Sequence, residues 1–103
     1  MDTKRYAFDA YVIDSLMRDL VGHDRRPSAY LVYLTIAAVA GEGRASLSLA
    51  QLAEQTGLSK RAVQDAAKHL AGRGLLALTR NAETETPLYE ALKPWRRASS
   101  VGF

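Results

Sequence analysis

The chain of 103 residues contains no cysteine. Disulfides, thiolate zinc sites and cysteine nucleophiles are thereby excluded, and the composition fits a reducing, cytoplasmic setting. Long hydrophobic runs are also missing. The longest, AYLVYLTIAAVA, spans 12 residues with a threonine inside, short of the roughly 20 that a membrane helix needs. It reads as a buried helix, and no membrane partner is expected. The opening MDTKRYAFDA lacks the apolar core and small-residue cleavage site of a signal peptide. There are only two histidines, His23 and His69, far apart and outside any metal-ligand pattern, so no metal is expected. The carboxylates are scattered, no nucleophile stands in a recognisable pairing with a base, and Gly41-Glu42-Gly43 is a turn rather than a phosphate-cradling loop. The chain is therefore not read as an enzyme, no cofactor is expected, and no small-molecule ligand is evident.

What remains is an ordinary globular composition, 48% hydrophobic and 24% charged, enough for one core at a common domain size. The net charge is only +3, with a pI near 9.4, but it is unevenly placed. Residues 1–58 hold six Lys/Arg and seven Asp/Glu; residues 59–103 hold eight and four. Positive charge thus accumulates in the second half, either as a polyanion-facing side or as a solvated surface.

Periodicity divides the chain into short elements. Ile13, Leu16, Met17 and Leu20, with Val12 beside them, recur at helical spacing and predict a helix over 10–21, capped by Asp9 and stopped at Gly22. Pro27 and Ser28 start a second helix that Gly41 and Gly43 stop; its apolar residues run nearly all round, as in a helix contacted on several sides. A short extended piece over 45–47 precedes SLAQ, a capping-box sequence at Ser48 to Gln51. Leu49, Leu52 and Ala53 face inward, and Gly57 ends that helix. Ser59 caps the next, in which Val63, Ala66, Ala67 and Leu70 share one face and Lys60, Arg61, Gln64, Asp65 and Lys68 the other; Gly72 and Gly74 end it. Residues 75–80 and 88–92 read as two strands around a polar turn at 81–87. A basic, aromatic segment and a loose end, ASSVGF, follow.

The centre, QLAEQTGLSKRAVQDAAKHL, meets three requirements of a helix-turn-helix. Ala53 is small enough for close helix approach, Gly57 stands four residues later where a left-handed turn is needed, and Leu52, Leu58, Val63 and Leu70 supply the buried faces. The stretch LSLAQLAEQTGLSKRAVQDAAKHLAGRGLL resembles the winged-helix form of the helix-turn-helix found in bacterial transcriptional regulators. The preceding IDSLMRDL and SAYLVYLTIAAVAGEG resemble the leading segment of plasmid and phage replication-initiator-like members, and LLALTR with PLYEAL fits the wing. The resemblance implies a mainly α fold with a small β-hairpin: a three-helix core, an N-terminal helix and a two- or three-stranded wing. It implies one domain over 1–97, with the helix-turn-helix at 48–73, the wing at 75–92 and a flexible tail at 98–103. It also implies a cytoplasmic, sequence-specific double-stranded DNA-binding protein of bacterial type, acting in transcription regulation by inserting helix 59–71 into the major groove. Two other readings stay open, a replication-initiator or plasmid/phage maintenance protein and a winged-helix protein-interaction module.

On that basis the candidate DNA-binding residues are Ser59, Lys60, Arg61, Gln64, Asp65 and Lys68 on the second helix, Ser46 and Ser48 ahead of the first, and Arg80 at the wing root. Two cations opening a helix act against its macrodipole, so Lys60 and Arg61 make sense with an anionic partner. Gln64 matches adenine, Lys68 matches guanine or phosphate, and Asp65 matches either cytosine or Arg61 at i, i+4. Ser48 caps, and the amides behind it suit a phosphate. One departure stands out. The wing tip, NAETET, carries Glu83 and Glu85 and no base, so the wing turns away from DNA, serves a protein contact, or belongs to a chain whose partner is not DNA. Trp95 is expected against the core or a partner chain, with Arg96 and Arg97 solvated. Tyr6, Phe8, Tyr11, Tyr30 and Tyr33 belong either to the core or to the interface of a homodimer, for which the N-terminal helix and the tail are available.

Overall fold

The computed structural model describes residues 3–80 and 86–96. The polar turn residues 81–85, with Glu83 and Glu85, lie outside them, as do Arg97 and the tail 98–103.

Helix α1 occupies residues 10–23 and is built largely of π-helical turns, Val12–Leu16 and Arg18–His23. Helix α2 is Pro27–Ala40, α3 is Leu49–Thr56 and α4 is Lys60–Gly72. Three short strands, β1 (Ala45–Ser46), β2 (Leu76–Thr79) and β3 (Leu88–Ala91), form an antiparallel sheet in the order β1-β3-β2. Ala45 pairs with Tyr89 and Leu78 pairs with the same residue from the other side. A helical turn at 94–96 follows β3.

Helix α2 is the hub. Tyr33, Ile36 and Val32 are fully buried on it, and Leu20, Leu52, Val63 and Leu70 close around them from α1, α3 and α4. This is why its sequence shows no single apolar stripe. Its two buried tyrosines keep their hydroxyls paired: Tyr30 donates to the Val12 carbonyl at 2.7 Å and Tyr33 to the Leu92 carbonyl at 2.9 Å. Burial pushes both phenols above the ordinary tyrosine range. The early aromatic group therefore splits, for Tyr6, Phe8 and Tyr11 are exposed.

Three local expectations about α1 fail. Asp9 does not cap the helix with its side chain. Its carboxylate instead accepts from Trp95 Nε1 at 2.7 Å and from Arg96 Nε and Nη2 at 2.7 and 2.8 Å. Gly22 does not end the helix, which runs on to His23 and is turned off by Arg25, the described non-glycine residue with a left-handed φ of 57°. The wide turns close there through Asp24 N–H to Asp19 O and Arg26 N–H to Leu20 O. The buried stripe is Val12, Leu16 and Leu20, while Ile13 and Met17 face outward. The enlarged turns of a π-helix favour this four-residue step over the mixed three-and-four spacing of an α-helix.

The turn at 94–96 is tied down, with Trp95 against the core as expected. Trp95 stacks on Tyr11 at 4.6 Å and meets Tyr33 edge-on. Arg96, expected in solvent, bridges Asp9 and also donates to Glu42 at 2.6 and 3.1 Å. The Arg96 guanidinium holds the carboxyls of Asp9 and Glu42 below their usual range, and they raise its own pKa in return.

Candidate nucleic-acid interface

The geometry of the site begins with two caps. Ser48 Oγ accepts from Gln51 N–H at 3.1 Å, and Gln51 Oε1 accepts from Ser48 N–H at 2.8 Å, a complete capping box. Ser59 Oγ accepts from Ala62 N–H at 3.0 Å and starts α4. Between them Gly57 adopts φ 80°, ψ 7°, the left-handed conformation a side chain would resist. Thr56 completes the turn, donating to Leu52 O at 2.7 Å while its hydroxyl accepts from Leu58 N–H at 3.2 Å. The sequence reading passed over Thr56, although a hydroxyl directly before a turn glycine is a usable signal.

With Val63, Ala66 and Leu70 buried against α2 and α3, the opposite side of α4 is left to solvent. Lys60, Arg61, Gln64, Asp65 and Lys68 are all exposed on it. The i, i+4 pair of Asp65 with Arg61, one of its two readings, is not among the described ion pairs. On one flank, α4 and the sheet enclose an open groove of about 490 Å³. Arg61, Gln64, Asp65, Lys68 and Arg80 give its polar lining, and Leu78 and Tyr89 its apolar floor. On the other flank is a shallower depression of about 350 Å³ bounded by Arg26, Asp65, Lys68 and His69. Ser59 stands exposed at the head of α4, whereas Ser46 lies on β1, paired with Leu88, and the Ser48 hydroxyl is committed to its cap.

Residues 26–76 match a family model described as a helix-turn-helix domain. With β2 and β3, the fold is a winged helix-turn-helix. No characterised protein sequence matches the chain significantly. Among solved structures it is similar to an "N-terminal domain of DNA binding protein", with a TM-score of 0.57 at 13% identity, over 95% of this chain and 86% of the other. It is also similar to a MarR family regulator from Neisseria meningitidis, with a TM-score of 0.51 at 19% identity, over 89% of this chain and 68% of that one. At these identities the likeness speaks for the fold.

The winged helix holds α4 through a carboxylate that sequence reasoning missed. Asp24, at the end of α1, accepts from His69 Nε2 at 2.8 Å and pairs with Arg73 Nε at 3.0 Å; His69 lies on α4 and Arg73 directly follows it. His23 Nδ1 lies 2.9 Å from its other oxygen. The His23 contact, followed by those of His69 and Arg73, lowers the Asp24 pKa against the opposing effect of desolvation. The two histidines thus meet one carboxylate. Among the described residues no group of His, Asp or Glu is arranged to hold a metal, and no helix is long and apolar enough to cross a membrane.

Proposed function

We propose that the protein is a sequence-specific double-stranded DNA-binding regulator that inserts α4 into the major groove. The observation carrying this reading is the outer face of α4. Lys60, Arg61, Gln64 and Lys68 project from one rigid, capped helix, and no described carboxylate forms an ion pair with its three cations. The major groove is about 12 Å wide and admits a helix with its side chains. Arg61 and Gln64 are assigned to base edges, Lys60 and Lys68 to bases or phosphates, and Asp65 to a cytosine amino group. Ser59 and the amides behind Ser48 lie on the approach to the backbone, and Arg80 steadies the wing root. Selection from a random duplex library tests this directly. A selected site should then lose about 1–3 kcal/mol of affinity with Arg61→Ala; an unchanged titration curve refutes the assignment. Recovery of repeated origin-like elements from the source genome would favour a replication or maintenance role over transcription.

The regulator acts as a homodimer through the outer side of α1. Ile13, Met17 and Val21 repeat there every four residues and stay 54%, 38% and 39% exposed. On α2, the hub helix to which Tyr30 ties α1, Leu31 and Val39 are similarly exposed. Five such side chains offer on the order of 400 Å² of apolar surface, about half of a standard interface's contribution per partner. A two-fold copy would place two recognition helices on half-sites about 34 Å apart. Sedimentation of the wild type should give twice the chain mass and Met17→Glu the chain mass; a wild type that remains monomeric on its selected DNA overturns the proposal.

A further inference from the structure

The recognition helix has a cationic side chain on each flank, and only one belongs to the wing. At 100° per residue, Ala67, which borders only the wing groove, lies about 160° around the α4 axis from His69, which borders only the second depression. Arg61 stands between the two flanks, and Asp65 and Lys68 line both. Arg80 closes the wing side and Arg26 the other. Building on the DNA-binding reading, we infer that Arg26 is a backbone-phosphate contact on the groove wall opposite the wing.

The groups around Arg26 leave it available for this. His69 is engaged through Nε2 with Asp24. Asp65 lines the same depression but forms no ion pair with Arg26 among the described residues. Arg26 is exposed and precedes Pro27 at the N-terminus of α2, without a side-chain capping bond to that helix. Its backbone is nonetheless fixed: its N–H donates to Leu20 O at 2.7 Å, and its carbonyl accepts from Ala29 N–H at 3.0 Å. Two residues earlier, Asp24 locks this corner to His69 and Arg73. The distance from Arg26 to α4 is therefore set before any ligand arrives. A helix seated in the major groove has a phosphate backbone on either side. The wing, with Glu83 and Glu85 in its tip sequence, offers one described cation, Arg80, to one wall. Arg26 and the adjoining Lys68 serve the other, which lets the domain hold DNA without a basic wing tip.

The test compares wild type, Arg26→Gln and Arg26→Lys on a selected duplex and on an unrelated duplex across a salt series. Losing one phosphate contact should make the slope of log K against log salt shallower by about 0.9, so that a fourfold rise in salt weakens Arg26→Gln about 3.5-fold less than the wild type. The loss at low salt should be equal on both duplexes, and Arg26→Lys should keep the wild-type slope. Ethylation interference on the wild type reads the same contact independently of any variant's folding, as one blocking phosphate on the groove wall away from the wing. An unchanged slope in Arg26→Gln, a loss confined to the selected duplex, or the absence of that blocking phosphate overturns the inference while the DNA-binding reading stands. A wild type that binds neither duplex at low salt overturns both.

Discussion

Replacing Asp24 by alanine removes the tie between α1 and α4, and the cost follows from its three contacts. The carboxylate is 7% exposed and has three partners of unequal weight. His23 is 82% exposed, so its bond is worth only a few tenths of a kcal/mol, as for a surface contact. Arg73 is 41% exposed and rehydrates when released, which places it at about 0.5–1 kcal/mol. His69 is 24% exposed and 2.8 Å away, close to the lower end for a hydrogen bond to a charged group, about 1–1.5 kcal/mol. The sum is about 2 kcal/mol near pH 7, or roughly 8–16 °C in Tm for a domain of this size. The position strengthens the argument. A carboxylate at the C-terminal end of α1 opposes that helix's macrodipole, so the native state tolerates it because cations face it.

The pH dependence separates this account from simple loss of packing. Asp24 has a folded pKa below its ordinary value of 3.8. The stability it contributes is therefore present above about pH 4 and is lost as pH falls through the folded pKa. Urea melts of wild type and Asp24→Ala at pH 7 should differ by about 2 kcal/mol, with the gap narrowing progressively below pH 4. A gap under about 0.5 kcal/mol at pH 7, or one equally large at pH 7 and pH 3, refutes the clamp.

Other perturbations test the neighbouring parts of the site. Gly57→Ala meets no atom within 4 Å but must hold φ at 80°, so denaturant melts should show a cost of about 1 kcal/mol, and Gly57→Asn should cost less. Ser48→Ala empties the capping box of its hydroxyl and should cost about 1 kcal/mol, with the added effect of fraying the start of α3 in hydrogen exchange. Leu70→Ala opens a cavity at a fully buried position between α4 and α2. It should cost about 3 kcal/mol or more, enough to leave little stability in a marginal domain.

How much of this was legible beforehand follows the range of each interaction. The helix-turn-helix announces itself because its devices act within four residues. Ser48 reaches Gln51, Ser59 reaches Ala62, and Gly57 turns the chain where it stands. The outer face of α4 follows from the same arithmetic, since burying Val63, Ala66 and Leu70 leaves Arg61, Gln64 and Lys68 outside. The end of α1 was misread because glycine is a strong local signal and the actual stop is a left-handed arginine, which no composition rule favours. Asp9 was misread for a related reason. Its local signal as a cap is good, but Trp95 and Arg96, 86 and 87 residues away, compete for the same oxygens and win.

Charged pairs across long separations leave no periodicity, and the seating of α4 depends on them. His69 reads as an unremarkable helix residue until Asp24, 45 positions earlier, is brought against it. Arg26 belongs to no sequence motif, and only folding brings it to a depression shared with Lys68. A basic second half suggested that the nucleic-acid side lay after residue 58. The folded chain instead returns a cation from the neutral-to-acidic first half to the flank of α4. Counting charge along the sequence therefore points to α4 and passes over a cation that folding brings to its flank.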